Sequence, residues 1–190
     1  MNLAILQEKG YDGDEVIDMF RKATAADISR VTEIYDEIHG ETEAGRAVTG
    51  WVRGVYPVHR TAEDAVRQGE LFVAEAEGRI VAAAKINQVQ DDCYRGGAWQ
   101  HEAADREVLV LHTLVVSPSV KGGGYGTAFV GFYEDCARER GCKVLRMDTN
   151  AKNTAARALY KKLGYREAGI VPTVFNGIPG VELVLLEKKL

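Results

Sequence analysis

Apolar positions along this chain alternate between two spacings, and the changes of spacing mark out its elements. Ile28, Val31, Ile34, Tyr35 and Ile38 recur at the three-to-four interval of a helix with one buried face. Thr24, with Asp27 three residues on, forms a capping-box-like start for it. Phe129, Phe132, Tyr133, Cys136 and Ala137 repeat the pattern, as do Ala156, Leu159, Tyr160 and Leu163, the last set followed by Gly164 where a C-terminal cap belongs. Strands are expected near Ile17 to Lys22, Leu71 to Ala76, Ile80 to Val89, Lys143 to Thr149, Tyr165 to Val171 and Val181 to Lys188. The pair before residue 90 reads as a hairpin turned at Glu77-Gly78-Arg79. Glu107 to Val116 is almost continuously apolar, the mark of a strand covered on both faces.

Between these lie less patterned stretches. Glu41 to Arg60 reads as a short helix and a loop, Thr61 and Asp64 as the start of a helix reaching Gly69, and Asp91 to Asp105 as a long polar loop. The strand–helix–strand–helix order after residue 107 implies a mixed, partly parallel sheet with right-handed crossovers. The fold class is therefore α/β in the mixed α+β sense. Residues 1–18, polar and weakly patterned, are expected to be an N-terminal extension to a single domain at 19–190.

Chemistry concentrates in Leu114-Val115-Val116-Ser117-Pro118-Ser119-Val120-Lys121-Gly122-Gly123-Gly124-Tyr125-Gly126-Thr127. It reads as a buried strand, a proline stop and a glycine turn opening directly into a helix. Successive N–H groups of such a turn converge on an anion, and the helix N-terminus adds favourable partial charge. A phosphate site follows, most naturally for a cofactor pyrophosphate. No lysine stands between Gly126 and Thr127, which argues against a Walker loop, and the glycines do not scan as a dinucleotide fingerprint.

The turn resembles the pyrophosphate loop of the GNAT superfamily of N-acetyltransferases: a basic residue or Gln, two variable positions, Gly, one variable position, then Gly or Ala. Here those are Lys121 to Gly126, after a strand ending Leu114, Val116, Pro118; Lys121 stands where Arg or Gln is usual. Asn153-Thr154-Ala155-Ala156-Arg157-Ala158-Leu159-Tyr160, followed by Gly164-Tyr165, resembles the family's second signature. Asn153 and Tyr160 lie about two turns apart and share a helix face. The resemblance spans about residues 20 to 190 and implies the GNAT fold, a central sheet splayed where acetyl-CoA inserts and flanked by helices.

It also implies direct attack of an amine on the acetyl thioester. The cofactor-binding residues would be Leu114, Val115, Val116, Lys121 to Thr127, Asn153 and Tyr160. A backbone N–H at about Val115 or Val116 would hold the oxyanion, and Tyr160 would protonate the departing thiolate. An alkylammonium acceptor must lose a proton, which near pH 7 costs roughly 4–5 kcal/mol from a reference pKa of about 10.4. Two residues compete for that base. His112, similar to the His-bearing strand of arylalkylamine acetyltransferases, has a reference pKa nearest neutrality. Glu107, at the start of the strand, is second. Strand alternation puts the two on opposite faces unless a bulge intervenes.

Trp51, Tyr56, Tyr94 and Trp99 stand in loops that this fold places over the cleft, so they are candidates to line the acceptor site. Asp91, Asp92, Glu102 and Asp148 are possible polar or cation-holding neighbours. The acceptor is expected to be an amine-bearing small molecule or peptide, with an acetyl-CoA-binding regulatory module lacking turnover as the alternative. A net charge of −4 argues against general nucleic-acid binding, and no apolar run reaches the length of a membrane span. No secretory signal is evident. Cys93, Cys136 and Cys142 show no metal spacing and read as reduced cytosolic thiols. A homodimer through the C-terminal strands is compatible with the fold.

Overall fold

The computed structural model describes residues 19–190, so the expected extension at 1–18 lies outside the described residues. From Phe20 the order is β1 (Phe20–Lys22), α1 (Ile28–Glu43), α2 (His59–Arg67), β2 (Leu71–Ala76), β3 (Arg79–Asn87), β4 (Val108–Val116), α3 (Tyr125–Glu139), β5 (Val144–Asn150), α4 (Thr154–Lys162), β6 (Arg166–Phe175) and β7 (Ile178–Lys189). The seven strands form one sheet in the order β1-β2-β3-β4-β5-β7-β6. Only β4 and β5 pair in parallel, so the mixed sheet is mostly antiparallel.

Alternation along the strands sorts the core into two faces. Phe72, Ala74, Leu109, Leu111, Leu145, Met147 and Leu186 meet α3 and Tyr160 of α4 on one side. Leu71, Val73, Ala83 and Val115 meet Val31, Ile34, Tyr35, Ala62 and Ala65 of α1 and α2 on the other. The remainder of that second face, Val108, Val110, Val144, Leu183 and Leu185, is covered by the loop after β3 through Tyr94 and Trp99. A loop does here what a helix does elsewhere in the sheet, which is why β4 reads as apolar on both faces.

That loop is fastened by buried polar groups. Glu187 is 1% exposed, and its carboxylate accepts from the N–H groups of Gln100 (2.7 Å) and His101 (3.3 Å) and from Arg166. Burial works against its charge, but these donors hold its pKa below the ordinary value. Arg146 lies 4.1 Å from the Trp99 ring centroid and donates to the carbonyl of His101 at 3.0 Å. The sequence left residues 172–180 between two strands; the structure makes β6 and β7 one long hairpin turned at Asn176-Gly177. Pro172 still pairs with Glu182, while at Gly180 the register shifts between Thr173↔Val181 and Phe175↔Ile178 before the turn. The expected capping box is present, with the Thr24 N–H and hydroxyl both reaching Asp27 at 2.6 and 2.9 Å.

The joint between β4 and β5 is tied from the helix side. The Tyr133 hydroxyl reaches the carbonyls of Leu109 (2.6 Å) and Arg146 (3.0 Å), one on each strand, and the side chain is fully buried. Tyr133→Phe is expected to lower stability by about 1–2 kcal/mol, seen as a lower urea midpoint with an unchanged m-value. An unaltered midpoint would mean that this hydroxyl does not contribute to the joint.

Candidate active site

The site begins with an irregularity in β4. Ala83 faces Val115 and Lys85 faces His112, so three steps on β4 match two on β3. The extra residue is accommodated at Thr113, whose φ of 52° is left-handed and uncommon for a β-branched residue. Its hydroxyl is held by the hydroxyl of Tyr56. The β4–β5 ladder stops at Leu111↔Met147. Beyond it the strands part, and a cavity of about 250 Å³ opens between Leu111–Val116 on one side and Asp148–Asn150 on the other.

Ladder geometry identifies which backbone groups enter this gap. The Ser117 N–H donates to the carbonyl of Val81 at 2.8 Å. Inward and outward groups alternate in an antiparallel pair, so Val115 also bonds toward β3 while the N–H of Val116 turns into the opening. Of the two expected oxyanion donors, Val116 is the one so placed.

A second cavity of about 370 Å³ continues from the first, sharing Ile38, Ala47, Val116 and Ala156. Its walls include Lys121, Gly122, Gly124, Tyr125, Gly126, Arg46 and Leu159. Gly122 and Gly124 take positive φ values of 83° and 87°, which turn the chain into α3. Gly123 is required for space: a Cβ there would stand 2.7 Å from the Tyr125 ring and 2.9 Å from the carbonyl oxygen of Val120. A tight glycine turn entering the N-terminus of a 15-residue helix is a fitting cradle for a pyrophosphate. Gly123 and Thr127 build the turn and the first helical positions without lining the cavity.

Tyr160 and Asn153 both line the first cavity. Asn153 also caps α4, its Oδ1 accepting from the Ala156 N–H at 3.1 Å. Tyr160 is 7% exposed, and among the described residues its hydroxyl has no hydrogen-bond partner. Burial and the nearby Asp148 push its pKa well above the ordinary phenol value, so its hydroxyl is protonated at neutral pH.

Sequence reading placed Asp148 among the possible polar lining, and the structure brings it to the floor of the cavity. The Tyr94 hydroxyl donates to its Oδ2 at 2.8 Å. Burial, together with Asp91, raises its pKa to about 6, against the opposing effects of Tyr94 and His112. His112 lines this cavity and a neighbouring one of about 390 Å³, which is bounded by Tyr56, α2, Lys85, Asn87, Asp91, Phe175 and Asn176. Its Nε2 lies 2.9 Å from Asn87 Oδ1 and its Nδ1 3.7 Å from Asp91 Oδ2.

Three expected site residues are placed differently. Glu107 lies just before β4, at the end away from the gap, where it pairs with Lys143 at 2.5 Å and accepts from the Ala104 N–H. It is outside the site because the strand is nine residues long and opens only at its far end. Trp99 is a loop anchor: its indole N–H donates to the carbonyl of Tyr94 at 2.7 Å and its ring packs against Arg146. Tyr94 is buried behind Asp148 rather than exposed to an acceptor. Trp51 lines the first cavity and Tyr56 the adjacent one, with their rings 6.0 Å apart. The sequence missed the bulge, Asn87 and Phe175. Its one usable signal was the polar pair His112-Thr113 inside an apolar strand, a break in pattern where a bulge belongs.

The family model for the acetyltransferase (GNAT) family matches residues 30–165. An uncharacterized N-acetyltransferase of Methanocaldococcus jannaschii is 31% identical over 100 residues, 53% of this chain and 40% of the relative. Glucosamine 6-phosphate N-acetyltransferase of Trypanosoma brucei brucei is 31% identical over 97 residues, 51% of this chain and 58% of the relative. The chain thus spans about half the length of the curated relatives it matches. A GNAT-family acetyltransferase of Streptococcus agalactiae superposes with a TM-score of 0.75 at 22% identity, covering 90% of this chain and 94% of that one. With the family model matched over most of the chain, and with the splayed strand and glycine turn in place, this protein belongs to the GNAT family of acetyltransferases, whose acetyl donor is acetyl-CoA.

Proposed function

We propose that the chain transfers an acetyl group from acetyl-CoA directly to a primary amine of a small molecule or peptide. One observation carries this reading. The glycine cradle and the opened strand end form continuous cavities, so an anion held at Gly122–Gly126 places a thioester arm beside Val116, Tyr160 and Asp148.

Each residue then has a defined task. Backbone N–H groups of the turn and the first turn of α3 hold the pyrophosphate, with Lys121 and Arg46 adding positive charge. The Val116 N–H receives the charge that develops on the acetyl oxygen. Tyr160 gives its proton to the leaving sulfur. His112 takes a proton from the acceptor, and Asp148 provides negative charge toward an incoming ammonium. No thiol is suited to a covalent route: burial raises Cys93 and Cys136 to about 11, so neither is a thiolate near neutrality.

Release of free CoA thiol against a panel of polyamines, arylalkylamines, amino acids, aminoglycosides and short peptides tests the reaction. Turnover dependent on one amine class supports it; acetyl-CoA binding with no turnover for any of them would favour a regulatory module. Tyr160→Phe is expected to lower kcat about a hundredfold with acetyl-CoA affinity retained. Gly123→Ala should do the reverse, weakening acetyl-CoA binding roughly tenfold by displacing the turn.

Asp148 supplies a pH test. Its pKa near 6 stands above the ordinary 3.8, so the folded state binds this proton more tightly than the unfolded chain. Its contribution to stability is therefore full below pH 3.8 and is lost as pH rises through 6. In Asp148→Asn that loss should vanish, so urea unfolding between pH 4 and 7 should show a flatter profile than wild type. Parallel profiles would mean that the carboxylate is not held in this environment.

A further inference from the structure

We propose that Asn87 is a positioning residue that fixes His112 in a single tautomer, leaving Nδ1 as the atom that takes the acceptor's proton; this rests on the acetyl-transfer reading above. Asn87 ends β3 and is 5% exposed. Carboxamide oxygen and nitrogen look alike in shape, so their placement has to follow from neighbours whose roles are fixed. Two such neighbours are present. The Val89 backbone N–H, which can only donate, meets Asn87 Oδ1 at 3.0 Å. The Glu70 carboxylate, which also lies 3.3 Å from the Lys85 ammonium, accepts from Asn87 Nδ2 at 2.9 Å. Both demand the same orientation, so the atom facing His112 Nε2 at 2.9 Å is an oxygen.

An oxygen at that distance requires a proton on Nε2. In the neutral ring the lone pair then resides on Nδ1, which faces Asp91 Oδ2 at 3.7 Å, beyond hydrogen-bond reach. The site therefore holds an oriented ring with one unoccupied basic nitrogen, on a residue that lines both the thioester cavity and its neighbour. When Nδ1 takes a proton, Asp91 faces a cation instead of a lone pair. Asp148 from β5 lines the same cavity as the ring, Lys85 and Glu70 stand behind Asn87, and Arg60 and Asp64 of α2 line the adjoining cavity.

The proton balance closes with these groups. An acceptor ammonium carries three N–H protons. One passes to Nδ1 before attack and then leaves to solvent. The amine lone pair forms the C–N bond, and the C–S bond breaks with its electron pair on sulfur. Tyr160 protonates that sulfur, the second ammonium proton restores Tyr160, and the third remains as the amide N–H.

Nitrogen-15 NMR of the imidazole in the full chain reads the tautomer independently of turnover. In wild type the neutral His112 ring should carry its proton on Nε2. Asn87→Ala should give mixed tautomers and lower kcat roughly tenfold at neutral pH, with KM for acetyl-CoA unchanged. Asn87→Asp combined with Glu70→Gln keeps an acceptor oxygen toward Nε2 and a donor–acceptor contact behind it, so the pair should restore both the Nε2–H tautomer and most of kcat. A wild-type ring protonated on Nδ1 would overturn the proposal, and the wild-type spectrum decides this even if Asn87→Ala does not fold. So would full activity in Asn87→Ala when His112→Gln is impaired. Absence of acetyl transfer to any amine would instead refute the reaction, leaving the NMR result to judge the role of Asn87.

Discussion

Thr113 takes a left-handed backbone so that the stretch of β4 from His112 to Val115 carries one residue more than β3 opposite it. Beyond that point β4 no longer runs alongside β5, and the parallel ladder ends at Leu111 and Met147. The other features of the site follow from this separation. It exposes the Val116 N–H, gives Asp148 an open side, and turns His112 toward two cavities. Left-handed backbone at a β-branched residue costs on the order of 1–3 kcal/mol, offset here by the Tyr56 hydroxyl on Thr113 and by the β3–β4 pairing that resumes at Ala83↔Val115 and Ala82↔Val116.

The candidate site also depends on a fastening well away from it. Asp91 and Tyr94 reach the gap on the loop after β3, and that loop is held down at its other end by Glu187 and Arg146. Glu187 is buried with its carboxylate fully hydrogen-bonded, the condition under which buried charge fixes geometry instead of destabilising it. Arg146 is held through its two terminal nitrogens, while its buried Nε has no partner among the described residues. Trp99 and Tyr94 belong to this fastening. Their aromatic character serves the loop's hold on the sheet, while Trp51 and Tyr56 remain as the aromatic walls of the cavities.

Much of this was legible in the sequence wherever a local rule applies. Glycine count and spacing announced the turn into α3, because few other residues fit there. Helical periodicity placed Tyr160 on its face, and the unbroken apolar run of β4 announced a doubly covered strand. What escaped were features set by partners distant in sequence. The bulge depends on register against β3, which no window along β4 reveals. The sequence ranks His112 ahead of Glu107 on its reference pKa, but only the sheet shows which end of the strand opens. Asn87 carries no motif; its place in the site exists only because Glu70, Val89 and His112 converge on it from three segments. The β6–β7 hairpin was obscured for the opposite reason, since local breakers masked a pairing that long-range register sustains.

The two cavities that meet at His112 and Phe175 are walled by different elements, α3 and α4 on the one hand and α2 with β3 on the other. On the proposed reading, thioester and amine would enter by separate doors. Phe175 lines both cavities, and the Tyr56 hydroxyl on the amine's side meets the Thr113 hydroxyl on the thioester's side. On the proposed reading, a looser contact there would let water reach the thioester from the amine's side, and a tighter one would bar the acceptor.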